Sequence, residues 1–155
     1  MSEVEIFSAE VCPFAQRSRM VLIEKDVEFT LREVDLAAKP DWFIEVSPYS
    51  KVPVIRHQGR VVYESAIINE YLDEVYPTPP MMPAEPGARA SARIWIDFMN
   101  IKLLPCFYRL LMSQEPEKQA AEAATLKAHF RLMEAAMADE GAGPYWFAGQ
   151  LGLID

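Results

Sequence analysis

Val4-Glu5-Ile6-Phe7, Ser8-Ala9-Glu10 and Cys12-Pro13-Phe14-Ala15 stand close together near the start of the chain, and their reading decides the fold. The first four residues partly alternate apolar with polar and predict a short strand, which Ser8-Ala9-Glu10 ends. Pro13 opens a helical stretch running to about Lys25, because proline is tolerated in a first turn whose N–H groups lack partners anyway. Ser18, Val21 and Leu22 give that helix a face, and Gln16, Arg17 and Arg19 take polar positions elsewhere. Glu28 to Val34 alternates again and reads as a second strand, so the first third is β-α-β.

Outward from there the pattern continues. Asp41-Trp42-Phe43-Ile44-Glu45 predicts a short helix stopped near Ser47-Pro48. Val52-Pro53-Val54-Ile55 and Arg60-Val61-Val62-Tyr63 flank His57-Gln58-Gly59 as a hairpin. Pro53 demotes its strand to an edge or an irregular start. From Glu64-Ser65 a helix carries Ile67, Ile68, Tyr71, Leu72 and Val75 along one side. The order β-α-β then α-β-β-α describes a small α/β sandwich over residues 1–76.

Residues 77–87 are different. Pro77, Pro79, Pro80, Pro83 and Pro86 fall in this stretch, and such density predicts a stiff, extended linker. Residues 88–155 then read as helical. Ile94, Phe98, Ile101, Pro105 and Tyr108 form one stripe, with a kink expected at Pro105. Leu126, Phe130, Met133 and Met137 form a second stripe on a helix from Pro116 to about Ala138. Stripes of methionine and aromatic residues at this spacing are read as core. After Gly141-Ala142-Gly143-Pro144, the run Tyr145-Trp146-Phe147-Ala148-Gly149 needs a surface to cover it. Either it packs on the long helices, or the helical domain is incomplete.

Composition narrows the function. The chain has 155 residues, 51% hydrophobic and 25% charged, as a globular protein does. A net charge of −8 argues against nucleic acid or anionic lipid as a main partner. No apolar run approaches the ~20 residues needed to span a bilayer. Met1-Ser2-Glu3-Val4-Glu5 carries acid where a secretory signal carries base, so a cytosolic location is expected. No metal-site spacing, serine triad or phosphate-cradling glycine loop is present, and no metal is expected.

The two cysteines differ. Cys12 lies between a strand and a helix start, where outward N–H groups and the helix dipole favour a thiolate. The alternative is a small buried residue filling the turn. Ala15 stands where a second thiol would be needed for a disulfide within the turn, so any thiol chemistry at Cys12 uses one cysteine. Cys106 follows Pro105 inside an apolar helix and is read as packing. Ser65 at a helix start is first an N-cap, with Glu64 beside it. The same pair also offers a helix terminus for a carboxylate and an acid for an ammonium group.

Cys12-Pro13-Phe14, Lys39-Pro40-Asp41-Trp42-Phe43, Lys51-Val52-Pro53-Val54 and Glu64-Ser65-Ala66-Ile67 together resemble the cytosolic glutathione transferases, in particular the omega-like branch that uses cysteine. The resemblance implies an α/β thioredoxin-like N-terminal domain followed by an all-α domain. It implies that Cys12 forms a mixed disulfide with glutathione as co-substrate, the second substrate being a small disulfide or an electrophile. Phe14 would lie beside the reactive sulfur, and Val52 would pair through its backbone with the tripeptide next to a cis Pro53. Glu64 and Ser65 would hold the γ-glutamyl end, and Lys39 would approach the glycine carboxylate. The activity implied is thiol transfer or dehydroascorbate reduction, in a possible homodimer. Transferases of this kind usually continue for several helices beyond the segment resembling Phe147 to Asp155, which again makes the helical domain incomplete. Tyr71-Leu72-Asp73-Glu74 and Pro79-Pro80-Met81-Met82-Pro83 also resemble stringent starvation protein A, which implies instead a non-catalytic regulator bound to RNA polymerase.

Overall fold

The structure is a computed structural model that describes residues 3–140, 143–147 and 149–155. Met1, Ser2, Gly141, Ala142 and Ala148, read above as parts of the amino-terminal segment, the glycine-rich break and the apolar run, lie outside the described residues. The chain divides into two compact units, Met1–Pro80 and Met81–Asp155.

In the first unit β1 (Val4–Ser8), α1 (Pro13–Glu24), β2 (Phe29–Glu33), α2 (Asp41–Val46), β3 (Val54–His57), β4 (Arg60–Tyr63) and α3 (Ser65–Val75) follow in the expected order. The strands form one sheet in the order β2-β1-β3-β4, with β1 and β2 parallel and the other neighbours antiparallel. This is a thioredoxin-like arrangement. β3 lies inside the sheet, not at its edge. That is possible because the strand begins at Val54, one residue past Pro53, so the missing proline N–H falls outside the ladder.

Alternation along β1 and β3 separates the two faces of the sheet. Phe7 pairs with Val54, and both join Phe43 of α2 in a buried cluster with Ala15, Val34 and Val52, against which Cys12 packs. Val4, Ile6 and Ile55 have the opposite parity and are fully buried, as are Leu22 of α1 and Ile68 and Leu72 of α3. Burying each of these side chains stabilises the unit by about 1.5–3 kcal/mol.

Three polar links tie α1 to α3 along their length: Arg17 to Ser65, Ser18 to Asn69 and Lys25 to Asp73. The α3 residues in these links recur every four positions, so they lie on one face of the helix. His57, placed by the sequence in a bare turn, is buried at the end of β3. Its Nδ1 lies 2.7 Å from the Tyr71 hydroxyl, and its Nε2 lies 3.2 Å from that of Tyr76.

The second unit contains α4 (Pro86–Phe98), α5 (Leu104–Met112) and α6 (Pro116–Glu140). Between α4 and α5 the chain makes a π-helical turn at Met99–Leu103. The expected disturbance at Pro105 thus falls in the turn before it, where the proline ring crowds the carbonyl of Ile101 and the hydrogen-bond ladder slips. The expected core stripes are corrected. Ile94 is 66% exposed, Ile101 is exposed, and no described residue of α6 is buried. The buried positions within these helices and the π-helical turn are Ala92, Ile96, Leu103 and Cys106. Trp146 is buried with its ring 5.2 Å from that of Trp95, and the Leu153 N–H donates to the Met81 carbonyl. No helix among the described residues is long and apolar enough to cross a membrane.

Candidate functional site

Three pieces of the first unit converge: the start of α1, the turn before β3 and the start of α3. Cys12 is the N-cap residue of α1, partly exposed, and its side chain makes no capping bond. Its own N–H is held by the Ala9 carbonyl at 3.0 Å, which fixes the turn. The Sγ atom lies 3.9 Å from the Val52 carbonyl oxygen.

Val52 arrives there through a small clamp. The Ser47 hydroxyl donates to the Lys51 carbonyl at 2.9 Å and accepts from the Lys51 N–H at 3.0 Å. The Val52-Pro53 peptide bond is cis. Glu64 closes the third side with φ +66, a conformation that costs a non-glycine residue on the order of 1–3 kcal/mol. The kink turns the chain abruptly out of β4 into α3, whose ladder begins with the Ile68 N–H on the Glu64 carbonyl. The expected N-cap is corrected: Glu64, not Ser65, holds that position, Ser65 is the first residue of α3, and no side chain caps the helix, whose first N–H groups are those a helix leaves without intrahelical partners.

Phe14, Ser47, Tyr49, Lys51, Val52, Pro53, Tyr63, Glu64 and Ser65 line a pocket of about 120 Å³. The structure therefore brings together Phe14, Val52, Pro53, Glu64 and Ser65, with Cys12 beside them. It does not bring Lys39, which lies exposed in the loop before α2 and is not among the residues lining the pocket. The lysine at the pocket is Lys51. Sequence analysis named Lys51 only as part of the Lys51-Val52-Pro53-Val54 motif. Tyr49 and Tyr63, whose rings meet edge-on at 5.1 Å, also line the pocket.

Arg17 is a further residue that the sequence analysis did not place at the site. Its Nε and Nη2 donate to the Ser65 oxygen at 2.9 and 2.6 Å, and its guanidinium lies 5.3 Å from the centre of the Phe14 ring. Burial pulls this guanidinium below its ordinary pKa, while the charges of Glu64 and Cys12 act the other way. Beside the Cys12 turn, Glu10, Val11, Glu33, Asp35 and Leu36 help line a groove of about 570 Å³. Val11 there is 84% exposed.

Cys106 has a different setting. It is fully buried, and its Sγ lies 3.3 Å from Glu122 Oε2. Burial and the neighbouring Glu122 push its thiol pKa up. No group of three or more His, Cys, Asp or Glu among the described residues is placed to hold a metal ion.

Residues 11–75 match the family model of the glutathione S-transferase N-terminal domain. Over 162 residues the chain is 37% identical to a probable glutathione S-transferase, GSTU1, of Oryza sativa subsp. indica, spanning 99% of this chain and 70% of the rice protein. The crystal structure of glutathione transferase Omega 3C from Trametes versicolor superposes with a TM-score of 0.89 at 31% identity, covering 99% of this chain and 69% of the fungal one. Rice GST1 in complex with glutathione gives 0.87 at 38% identity, covering 99% and 71%. With identity of that order running through both units, this chain belongs to the glutathione S-transferase family.

Proposed function

We propose that the protein is a glutathione-dependent thiol transferase of omega-like type, with Cys12 as its nucleophile. The observation that carries this reading is the partly exposed Cys12 sulfur at the start of α1, next to a pocket that ends in Glu64 and Ser65. Only a thiolate attacks a disulfide, and the positive end of a helix favours that form. The complex of the rice relative with glutathione supports the choice of ligand. Glutathione would lie with its cysteine backbone on Val52, its sulfur at Cys12 and its γ-glutamyl end at Glu64 and Ser65. Lys51 is the pocket's own cation for the remaining carboxylate.

The chemistry is two exchanges. The Cys12 thiolate attacks the glutathione sulfur of a mixed disulfide, forming a Cys12–glutathione disulfide and releasing the other thiolate, which takes up a proton. A second glutathione thiolate then attacks the glutathione sulfur of that intermediate. Glutathione disulfide leaves and the Cys12 thiolate returns. One disulfide is reduced, two glutathione thiols are oxidised over the cycle when the mixed disulfide itself arises from glutathione, and no other oxidant is needed.

The test is turnover of hydroxyethyl disulfide with glutathione and a coupled glutathione reductase. Wild type should turn over and Cys12→Ala should fall to the uncatalysed rate. Full turnover by Cys12→Ala would remove the proposal.

A further inference from the structure

β1 and α1 are joined by a tight turn, Ala9-Glu10-Val11-Cys12, closed by the bond from the Cys12 N–H to the Ala9 carbonyl at 3.0 Å. Its tip is open to solvent at Val11, while Ser8 and Ala9 at its base are buried. Two side chains hold the turn from opposite ends. On the β2 side the Glu10 N–H donates to the Glu33 carboxylate. On the α1 side Arg19 donates from Nη1 to the Ser8 hydroxyl and, at 3.2 Å, to the Ala9 carbonyl. Its Nη2 donates to the Glu10 carbonyl at 3.5 Å. All three of these bonds go to uncharged oxygens of the segment that leads into Cys12.

The spacing makes this reach possible. Arg19 follows Cys12 by about two helical turns, so it lies close to the same side of α1, and side chains on a helix lean toward its N-terminus. A peptide unit is planar, so a carbonyl that is held fixes the direction of the N–H that follows it. By holding the Ala9 and Glu10 carbonyls together, the fork of Arg19 sets the peptide planes on either side of Glu10. We propose that Arg19 is a positioning residue for the Cys12 nucleophile, fixing this turn from behind so that the sulfur meets a disulfide in one orientation. The proposal rests on the reading of Cys12 given above. Arg19 acts through the backbone of the turn and is not among the residues lining the pocket of Glu64 and Ser65.

The competing explanation is a brace that only ties α1 to the end of β1. A brace would lower stability and leave the chemistry of the folded protein unchanged. Ser18, next to Arg19 on α1, supplies the control, because its buried hydroxyl donates to Asn69 of α3 at 2.8 Å and not to the turn. Wild type, Arg19→Gln, Arg19→Lys and Ser18→Ala are each measured in three ways on the full chain. These are unfolding in denaturant, binding of S-methylglutathione by calorimetry, and the maximal rate with hydroxyethyl disulfide and glutathione.

Arg19→Gln should bind S-methylglutathione within about twofold of wild type and lose about tenfold or more in maximal rate, because a small misplacement of a reacting atom is costly. Arg19→Lys keeps the charge but not the planar fork, and should recover only part of the loss. Ser18→Ala should unfold at lower denaturant, since it strips Asn69 of a buried partner, and should keep its rate per folded molecule. A rate for Arg19→Gln within about twofold of wild type overturns the proposal. So does an equal loss of rate in Arg19→Gln and Ser18→Ala, or a loss of binding that accounts for the loss of rate. If Arg19→Gln does not fold, Arg19→Lys decides by the same pattern. Full turnover by Cys12→Ala would instead remove the reading of Cys12, and this proposal with it.

Discussion

Each of the two cysteines adjoins a proline, in opposite order: Cys12-Pro13 and Pro105-Cys106. The order sets where each sulfur sits relative to its helix. Pro13 occupies the first position of α1, which leaves Cys12 as the cap, at the end where N–H groups are free and the dipole is positive. Pro105 lies in the first turn of α5 and Cys106 follows it into the helix, where the sulfur is covered completely and faces the Glu122 carboxylate. The first setting leaves the sulfur partly exposed, open to a partner. The second raises the pKa of the thiol and excludes one. Cys12 stands just before the first residue of its helix and Cys106 is the third residue of its own.

The sharpest way to break this comparison is to exchange the roles by mutation. Cys106→Ala should retain thiol-transfer turnover close to wild type, against the complete loss expected for Cys12→Ala. A Cys106→Ala variant that folds normally yet loses turnover would abolish the distinction.

A second difference concerns what stands behind each turn. Leu22, on the helix that Cys12 begins, is fully buried, while Leu132 on the helix facing Cys106 is 51% exposed. Leu22→Ala should cost about 2–5 kcal/mol in denaturant unfolding. Leu132→Ala should stay within about 0.5 kcal/mol, as substitutions on an open surface do. Equal losses would mean that α6 buries a face that the described structure leaves open.

A smaller effect sharpens the Cys106 side. Arg109 donates to both Glu122 oxygens, at 2.7 and 3.0 Å, and with the Cys106 thiol holds that carboxyl below its ordinary pKa. A carboxylate so depressed contributes stability above the usual carboxylate range and loses it as the pH falls through its folded value. Glu122→Gln should therefore have a lower Tm than wild type at neutral pH, and the two curves should converge in acid. A difference that widens in acid would contradict the assignment.

Much of the first unit was legible because its signals are local. Alternation in β1 and β2, the hairpin around Gly59 and the cap-like Glu64-Ser65 each depend on residues a few positions apart, and the element order followed. The second unit was less so. Periodicity showed which of Leu126, Phe130, Met133 and Met137 share a face, but a shared face is not a covered one, and none of the four is buried. In the site, Cys12 and Ser65 were legible as helix starts. Arg17 was not, since nothing local marks a guanidinium whose partner lies 48 residues on. Lys39 and Lys51 illustrate the same limit: both flank family-like motifs, and only the fold places Lys51 at the pocket.

The most direct test of Cys12 as the glutathione-bearing sulfur is peptide mapping by mass spectrometry after the intact, folded protein has met glutathione disulfide. A glutathione adduct on the peptide containing Cys12, with Cys106 unmodified, is the predicted result. An adduct on neither cysteine, or on Cys106 without Cys12, would contradict it.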